Sequence, residues 1–191
     1  CVTPGGGGTE LFNGKNLDGW EVTDFAGGGA IKVKDGEIHM AMGELISGIN
    51  LAHENIPRTN YELEAEAMKL DGNDFFCGLT FPVGDTFASF IPGGWGGTVV
   101  GLSSIDGMDA AENETATFKQ FKTHQWYHFR VRVTPGKIQC WVDDEMVVDL
   151  LLEDRGIALR PGPIELSVPI GITSFQTVTR IRNIQLQPIQ P

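Results

Sequence analysis

The sequence predicts an antiparallel all-β sandwich or barrel, on three observations. Apolar and polar residues alternate with period two rather than 3.6, Gly, Asp and Asn punctuate these runs at short intervals, and no segment carries a capped helical stripe of 12 or more residues. Many short strands with turn residues between them bury one face each and must be layered or closed to do so.

The elements follow in order. Asp35-Gly36 joins residues 31–33 to 37–40 as a hairpin turn, and Asp143-Asp144 does the same for 138–142 and 146–148. In Tyr61-Glu62-Leu63-Glu64-Ala65-Glu66-Ala67 the alternation is strict, so the three carboxylates share one sheet face with about 7 Å between successive ones. Trp126-Tyr127-His128-Phe129-Arg130-Val131-Arg132-Val133 repeats the pattern, with Tyr127, Phe129, Val131 and Val133 facing a core and His128, Arg130 and Arg132 facing out. Further strands are expected over residues 75–83, 87–91, 98–105, 117–121, 164–168, 171–175 and 178–186.

Composition narrows the function. The 191 residues hold 14 Lys or Arg against 25 Asp or Glu, a net charge of −11. No basic stripe is present, which argues against nucleic acid, whose binding rests on clustered cations. No run approaches the ~18 apolar residues of a membrane span. The cysteines Cys1, Cys77 and Cys140 form no CxxC pair, so neither a zinc site nor a dense disulfide framework is indicated. Cys77 and Cys140 fall on core faces and are expected as buried thiols. Cys1, followed by Val2-Thr3-Pro4 and the glycines 5–8, resembles a lipoprotein after signal cleavage; residues 1–9 then form a tether with lipid on Cys1, in a bacterial cell envelope or outside the cell. Of the 25 glycines, 21 lie at or before Gly107. Irregular, functional loops are therefore expected in the first half.

The segment Glu10-Leu11-Phe12-Asn13-Gly14-Lys15-Asn16-Leu17-Asp18-Gly19-Trp20 closely resembles the opening motif of the 3-keto-disaccharide hydrolase domain family. Later features match in order: the stretch 33–38, the acidic strand 61–68, the Gly72-Asn73 turn, the strand 126–133, the hairpin 142–147 and the closing strand 181–189. The resemblance implies a concanavalin A-like jelly-roll β-sandwich over residues 10–191, and cleavage of glycosides whose C3 hydroxyl has been oxidised to a ketone. It also implies a catalytic role for Glu66, which aligns with a Glu of the family. The chain departs from the family at Asn73-Asp74-Phe75-Phe76-Cys77-Gly78 and at Gly93-Gly94-Trp95-Gly96-Gly97, which marks a divergent subfamily.

The residues can also be weighed by their own chemistry. Glu64 and Glu66 share a strand face as paired carboxylates do on laminarinase-type strands, at a spacing that serves either glycosidase geometry; the alternative is a solvated face. Asn73 can bind a sugar hydroxyl and Asp74 act as base, although Gly-Asn-Asp is also ordinary turn chemistry. Trp95, framed by four glycines, has no neighbouring side chains to cover it and can offer a platform for a sugar ring; a tight bend over a core indole is the alternative. Trp20, Trp126 and Trp141 fit ordinary sheet positions. His53 stands in the Gly-rich half, and with a carboxylate could supply the base and electrophile that elimination from a 3-keto sugar needs. Asp106, Asp109 and Glu112 cluster with Asn113 and Glu114, and such oxygen density can hold Ca²⁺, though an acidic solvated loop reads equally well. Asn113-Glu114-Thr115 fits a glycosylation sequon. The expectation is a carbohydrate-active protein working through cleft carboxylates, the alternative a non-catalytic carbohydrate-binding or surface-assembly module.

Overall fold

The computed structural model describes residues 8–190; Cys1 and the tether glycines 5–7 lie outside the described residues. Two antiparallel sheets face each other across one core. Sheet A runs β13 (Glu145–Leu151), β12 (Lys137–Val142), β11 (Trp126–Thr134), β6 (Tyr61–Asp71), β15 (Val178–Pro188), β4 (Glu37–Met40) and β3 (Ile31–Lys34), with the short β1 (Thr9–Glu10) also on β15. Sheet B runs β10 (Thr117–Phe118), β9 (Val99–Ser103), β8 (Thr86–Gly94), β7 (Gly78–Val83), β14 (Gly171–Phe175), β5 (Ile46–Leu51) and β2 (Trp20–Val22). The jelly-roll sandwich is therefore as expected.

Alternation sets which side chains meet. Leu63, Ala65 and Ala67 of β6 and Phe129, Val131 and Val133 of β11 face inward and are fully buried. They meet Leu79, Phe81, Phe90, Val100 and Leu102 of sheet B. At one end of the core Phe76 packs edge-on against Phe121 and Phe129, with ring centroids 5.4 and 5.7 Å apart. Such aromatic pairs add to what burial alone contributes. Cys77 and Cys140 are both buried free thiols in this core, and burial raises the pKa of each.

Two expectations are corrected. Residues 164–168, expected as a strand, form a 3₁₀ turn over Pro163–Ser167, because Pro161, Pro163 and Pro169 fix φ and withhold backbone donors from any ladder. This turn packs beside β5 and β14, and its chain returns into β14 so tightly that a Cβ on Gly171 would stand 2.4 Å from the Ser167 carbonyl oxygen. The second is β5, absent from the sequence reading because its apolar residues Ile46, Ile49 and Leu51 lack regular alternation around Gly48.

Candidate functional site

The outer face of sheet A takes the acidic residues of β6 and spends them on neighbours. Glu62 accepts two bonds from Arg132, at 2.8 and 2.6 Å. Glu64 Oε2 and His128 Nε2 lie 2.6 Å apart. Glu66 Oε2 accepts from Arg182 at 2.8 Å and Asn183 at 2.5 Å. Burial pushes the Glu66 carboxyl up, but the bonds from Arg182 and Asn183 and the nearby positive charge outweigh it and hold its pKa below the ordinary value. Two indoles back the cations: Arg130 lies 4.1 Å from the Trp141 ring centroid and Arg182 3.8 Å from that of Trp126. This is a cross-strand charge ladder, set by the pairing of β6 with β11 and β15.

A cleft opens instead on the outer face of sheet B. Its floor comes from outward positions of β8 and β9, Ser89, Ile91 and Ser103, which alternate with the core residues Ala88, Phe90, Val100 and Leu102. Its walls come from Phe75, from Phe175 and from the segment carrying Arg160, Pro163 and Ile164. The larger hollow is about 360 Å³, and a smaller one of about 160 Å³ shares Phe75, Trp95, Arg160 and Phe175 with it and adds Asp74. That combined space suits a small ligand.

Local geometry holds Asp74 and Trp95 together. Asp74 follows β6 in the loop 72–77, and its Oδ1 accepts the Phe75 N–H at 2.8 Å while its Oδ2 accepts the Gly96 N–H at 3.2 Å. Trp95 has φ 49°, with Gly93, Gly96 and Gly97 also at positive φ. An aromatic residue in the left-handed region is strained, and the flanking glycines absorb the rest of the turn. Trp95 is 38% exposed, with the Arg160 guanidinium 5.9 Å from its ring centroid. Burial raises the Asp74 pKa, against the lowering effect of its two backbone bonds. Two of a carboxylate's roughly four acceptor positions are thus taken, and the others can still meet a ligand.

One further group stands out on the floor. Thr80 and Ser89 hydroxyls bond each other at 2.8 Å, whereas the Ser103 hydroxyl, opposite Ser89 on β9, is buried and has no hydrogen-bond partner among the described residues. A buried polar group without a partner costs about 1–3 kcal/mol.

The predicted site residues therefore divide. Asp74 and Trp95 share the cleft; Glu64 and Glu66 lie on the other sheet and line neither hollow. Asn73 is exposed, its backbone 3.3 Å from where a Gly97 Cβ would stand, and it lines neither hollow. His53 lines a separate depression with Leu11, Asp18 and Pro57. Asp106 accepts the Gly156 N–H at 2.7 Å and pairs with Arg155 at 3.4 Å, Asp109 accepts the Ala111 N–H at 3.1 Å, and Glu112 is exposed. Among the described residues no three His, Cys, Asp or Glu side chains are grouped to hold a metal ion. The sequon Asn113 is buried with its amide fully engaged, which removes it as a glycan acceptor. Arg160, Ser89, Ser103 and Phe175 were missed. Outward parity on β8 and β9 marks the two serines, but nothing in Leu159-Arg160-Pro161 marks the arginine.

Comparison with known proteins agrees with this architecture. A glycosyl-hydrolase-like protein from Parabacteroides distasonis superposes with TM-score 0.61 at 14% identity, covering 100% of this chain and 99% of that one. A laminarinase from Flavobacterium sp. UMI-01 gives 0.60 at 12% identity over 93% and 97% of the chains. The carbohydrate binding module CBM66 from Bacillus subtilis gives 0.57 at 14% identity over 88% and 95%. These are likenesses of fold. No curated protein sequence matches significantly. Residues 7–187 match the model of one sequence family, and on that match the chain belongs to the 3-keto-alpha-glucoside-1,2-lyase-like domain family.

Proposed function

We propose that the smaller hollow takes one sugar ring of a 3-keto glycoside and that the chain cleaves its glycosidic bond by elimination. The observation that carries this reading is that Asp74 and Arg160 line the same hollow beside Trp95, with no second carboxylate among the described residues that line it. Direct glycoside hydrolysis uses a pair of carboxylates about 5–9.5 Å apart. Elimination needs one base and one electrophile. A ketone at C3 acidifies the C2 proton; the Asp74 carboxylate removes it, and the electron pair moves onto the ketone oxygen, where the Arg160 guanidinium offsets the charge. The enediolate then collapses, the C1–C2 double bond forms, and the C1–O bond breaks. The departing oxygen takes up a proton, from Asp74 or solvent. Water adding across the double bond would complete a net hydrolysis. Family membership supports the choice of substrate.

A second reading is a binding module without chemistry. The observation in its favour is that both Asp74 oxygens hold backbone N–H groups, so the residue also serves as a loop clamp. Fold neighbours include carbohydrate-binding proteins, among them CBM66 and an arabinanase domain of Geobacillus stearothermophilus in complex with arabinotriose, at TM-score 0.57. Incubation with 3-keto and unoxidised glucosides separates the two. Release of aglycone from the 3-keto form only, lost in Asp74→Asn, supports elimination; binding without release supports the module.

A further inference from the structure

Resting on that reading of the smaller hollow, we infer that the larger hollow takes an aromatic aglycone carrying a single polar substituent, so that the preferred ligands are phenolic glycosides rather than disaccharides. The two hollows adjoin, sharing Phe75, Trp95, Arg160 and Phe175 in their linings, so a group attached to the anomeric oxygen of a sugar beside Asp74 is directed toward the larger one. Most of its lining is apolar, including Ile46, Ile91, Ile164 and Phe175, with Phe75 and Phe175 in ring contact at 5.9 Å between centroids. A second sugar placed there would bring several hydroxyls. Each would give up water, and each needs a partner in return.

The lining offers few. Ser89 already shares a hydrogen bond with Thr80, and Trp95 and Arg160 lie at the junction with the sugar. Ser103, only 4% exposed, is the lining hydroxyl that has no partner among the described residues. A flat ring between Ile91 and Ile164 buries apolar surface, and one phenolic hydroxyl at its edge satisfies Ser103 without stranding any other group. The volume of about 360 Å³ accommodates such a ring with room for a second.

The test is calorimetric affinity for methyl, phenyl and 4-hydroxyphenyl glucoside and for maltose, alongside aglycone release from the 3-keto form of each. Phenyl glucoside should bind at least tenfold tighter than methyl glucoside or maltose, and 4-hydroxyphenyl glucoside tighter again. Ser103→Ala should erase the difference between phenyl and 4-hydroxyphenyl, and Ile164→Asn on the surface segment should weaken both aryl glucosides while sparing the methyl one. Equal affinity for methyl, phenyl and maltose, or no binding of any glucoside, overturns the inference. Aryl preference in binding with no release from any 3-keto glucoside overturns the elimination reading instead, and leaves the aglycone hollow standing.

Discussion

The Asp74 carboxylate accepts the backbone N–H of Gly96 at 3.2 Å, and this bond ties the β6–β7 loop to the turn that carries Trp95. The same group that is offered as a base thus also positions the platform. Asp74→Asn removes the base and keeps one acceptor oxygen, so it retains one of the two backbone bonds, to Phe75 or to Gly96, and loses the other. Turnover should fall about 10²- to 10⁴-fold, with the thermal midpoint moved by only a few degrees. Loss of both together would instead assign Asp74 to the clamp alone, and calorimetric melting beside a rate assay reads the two.

Asp74 also sets a pH dependence. Burial raises its pKa above the ordinary 3.8, so the acid limb of kcat/KM should sit above that value and rates should fall as pH drops through it. The stability effect has the opposite sense. Because the folded form holds this proton more tightly than the unfolded chain, the contribution is present below 3.8 and is lost as pH rises through the raised value. A pH–rate profile of the wild type against Asp74→Asn checks the limb, which should vanish with the carboxylate.

Trp95 is strained in backbone and 38% exposed, an arrangement that folding alone does not reward. Trp95→Ala keeps the Cβ and its backbone strain and should leave the melting temperature almost unchanged. Glucoside affinity should fall roughly tenfold, in line with ~0.5–1.5 kcal/mol for aromatic contact plus lost apolar burial. Trp95→Phe should recover part of it. Unchanged affinity in calorimetry would remove the indole from the site.

The alternation of β6 showed from sequence that Glu62, Glu64 and Glu66 share a face, and Arg130, Arg132 and His128 were visible on the outward side of β11. What sequence could not supply was register. Only the register, which sets Glu64 opposite Arg130 and Glu66 opposite His128, brings Glu62 to Arg132, Glu64 diagonally to His128 and Glu66 to Arg182 of β15. Asp74 and Trp95 were legible because turn residues and flanking glycines are local signals. Arg160 was not, since it reaches Trp95 from 65 positions away along a proline-rich segment whose path no periodicity encodes.

Glu66→Gln tests the ladder. Its carboxyl is held below the ordinary 4.5 by Arg182 and Asn183 against the effect of burial. The stability it contributes is therefore present above pH 4.5 and is lost as pH falls through the lowered folded value. The wild type should be the more stable protein near neutrality, and the gap to Glu66→Gln should close on acidification. Aglycone release at neutral pH should stay within about twofold. A large loss of turnover in a folded Glu66→Gln protein would return catalysis to sheet A.

The Asn113 amide binds the acidic loop to β9. Its amide nitrogen donates to the carbonyls of Leu102 and Met108 at 2.7 and 3.1 Å, and its oxygen accepts from the Thr115 N–H and hydroxyl at 2.9 and 2.6 Å. The Thr115 hydroxyl in turn accepts the Leu102 N–H at 2.9 Å, so the loop is bound to β9 just before Ser103. Asn113→Ala leaves several of these groups buried and unpaired, at roughly 1 kcal/mol or more each. We expect a loss of about 3–5 kcal/mol, a fall in melting temperature on the order of 10 °C. Asn113→Asp should be nearly as damaging, because the carboxylate cannot donate to the two carbonyls. If melting is instead unchanged in Asn113→Ala but drops on adding a calcium chelator to the wild type, the loop is held by a cation and not by this amide.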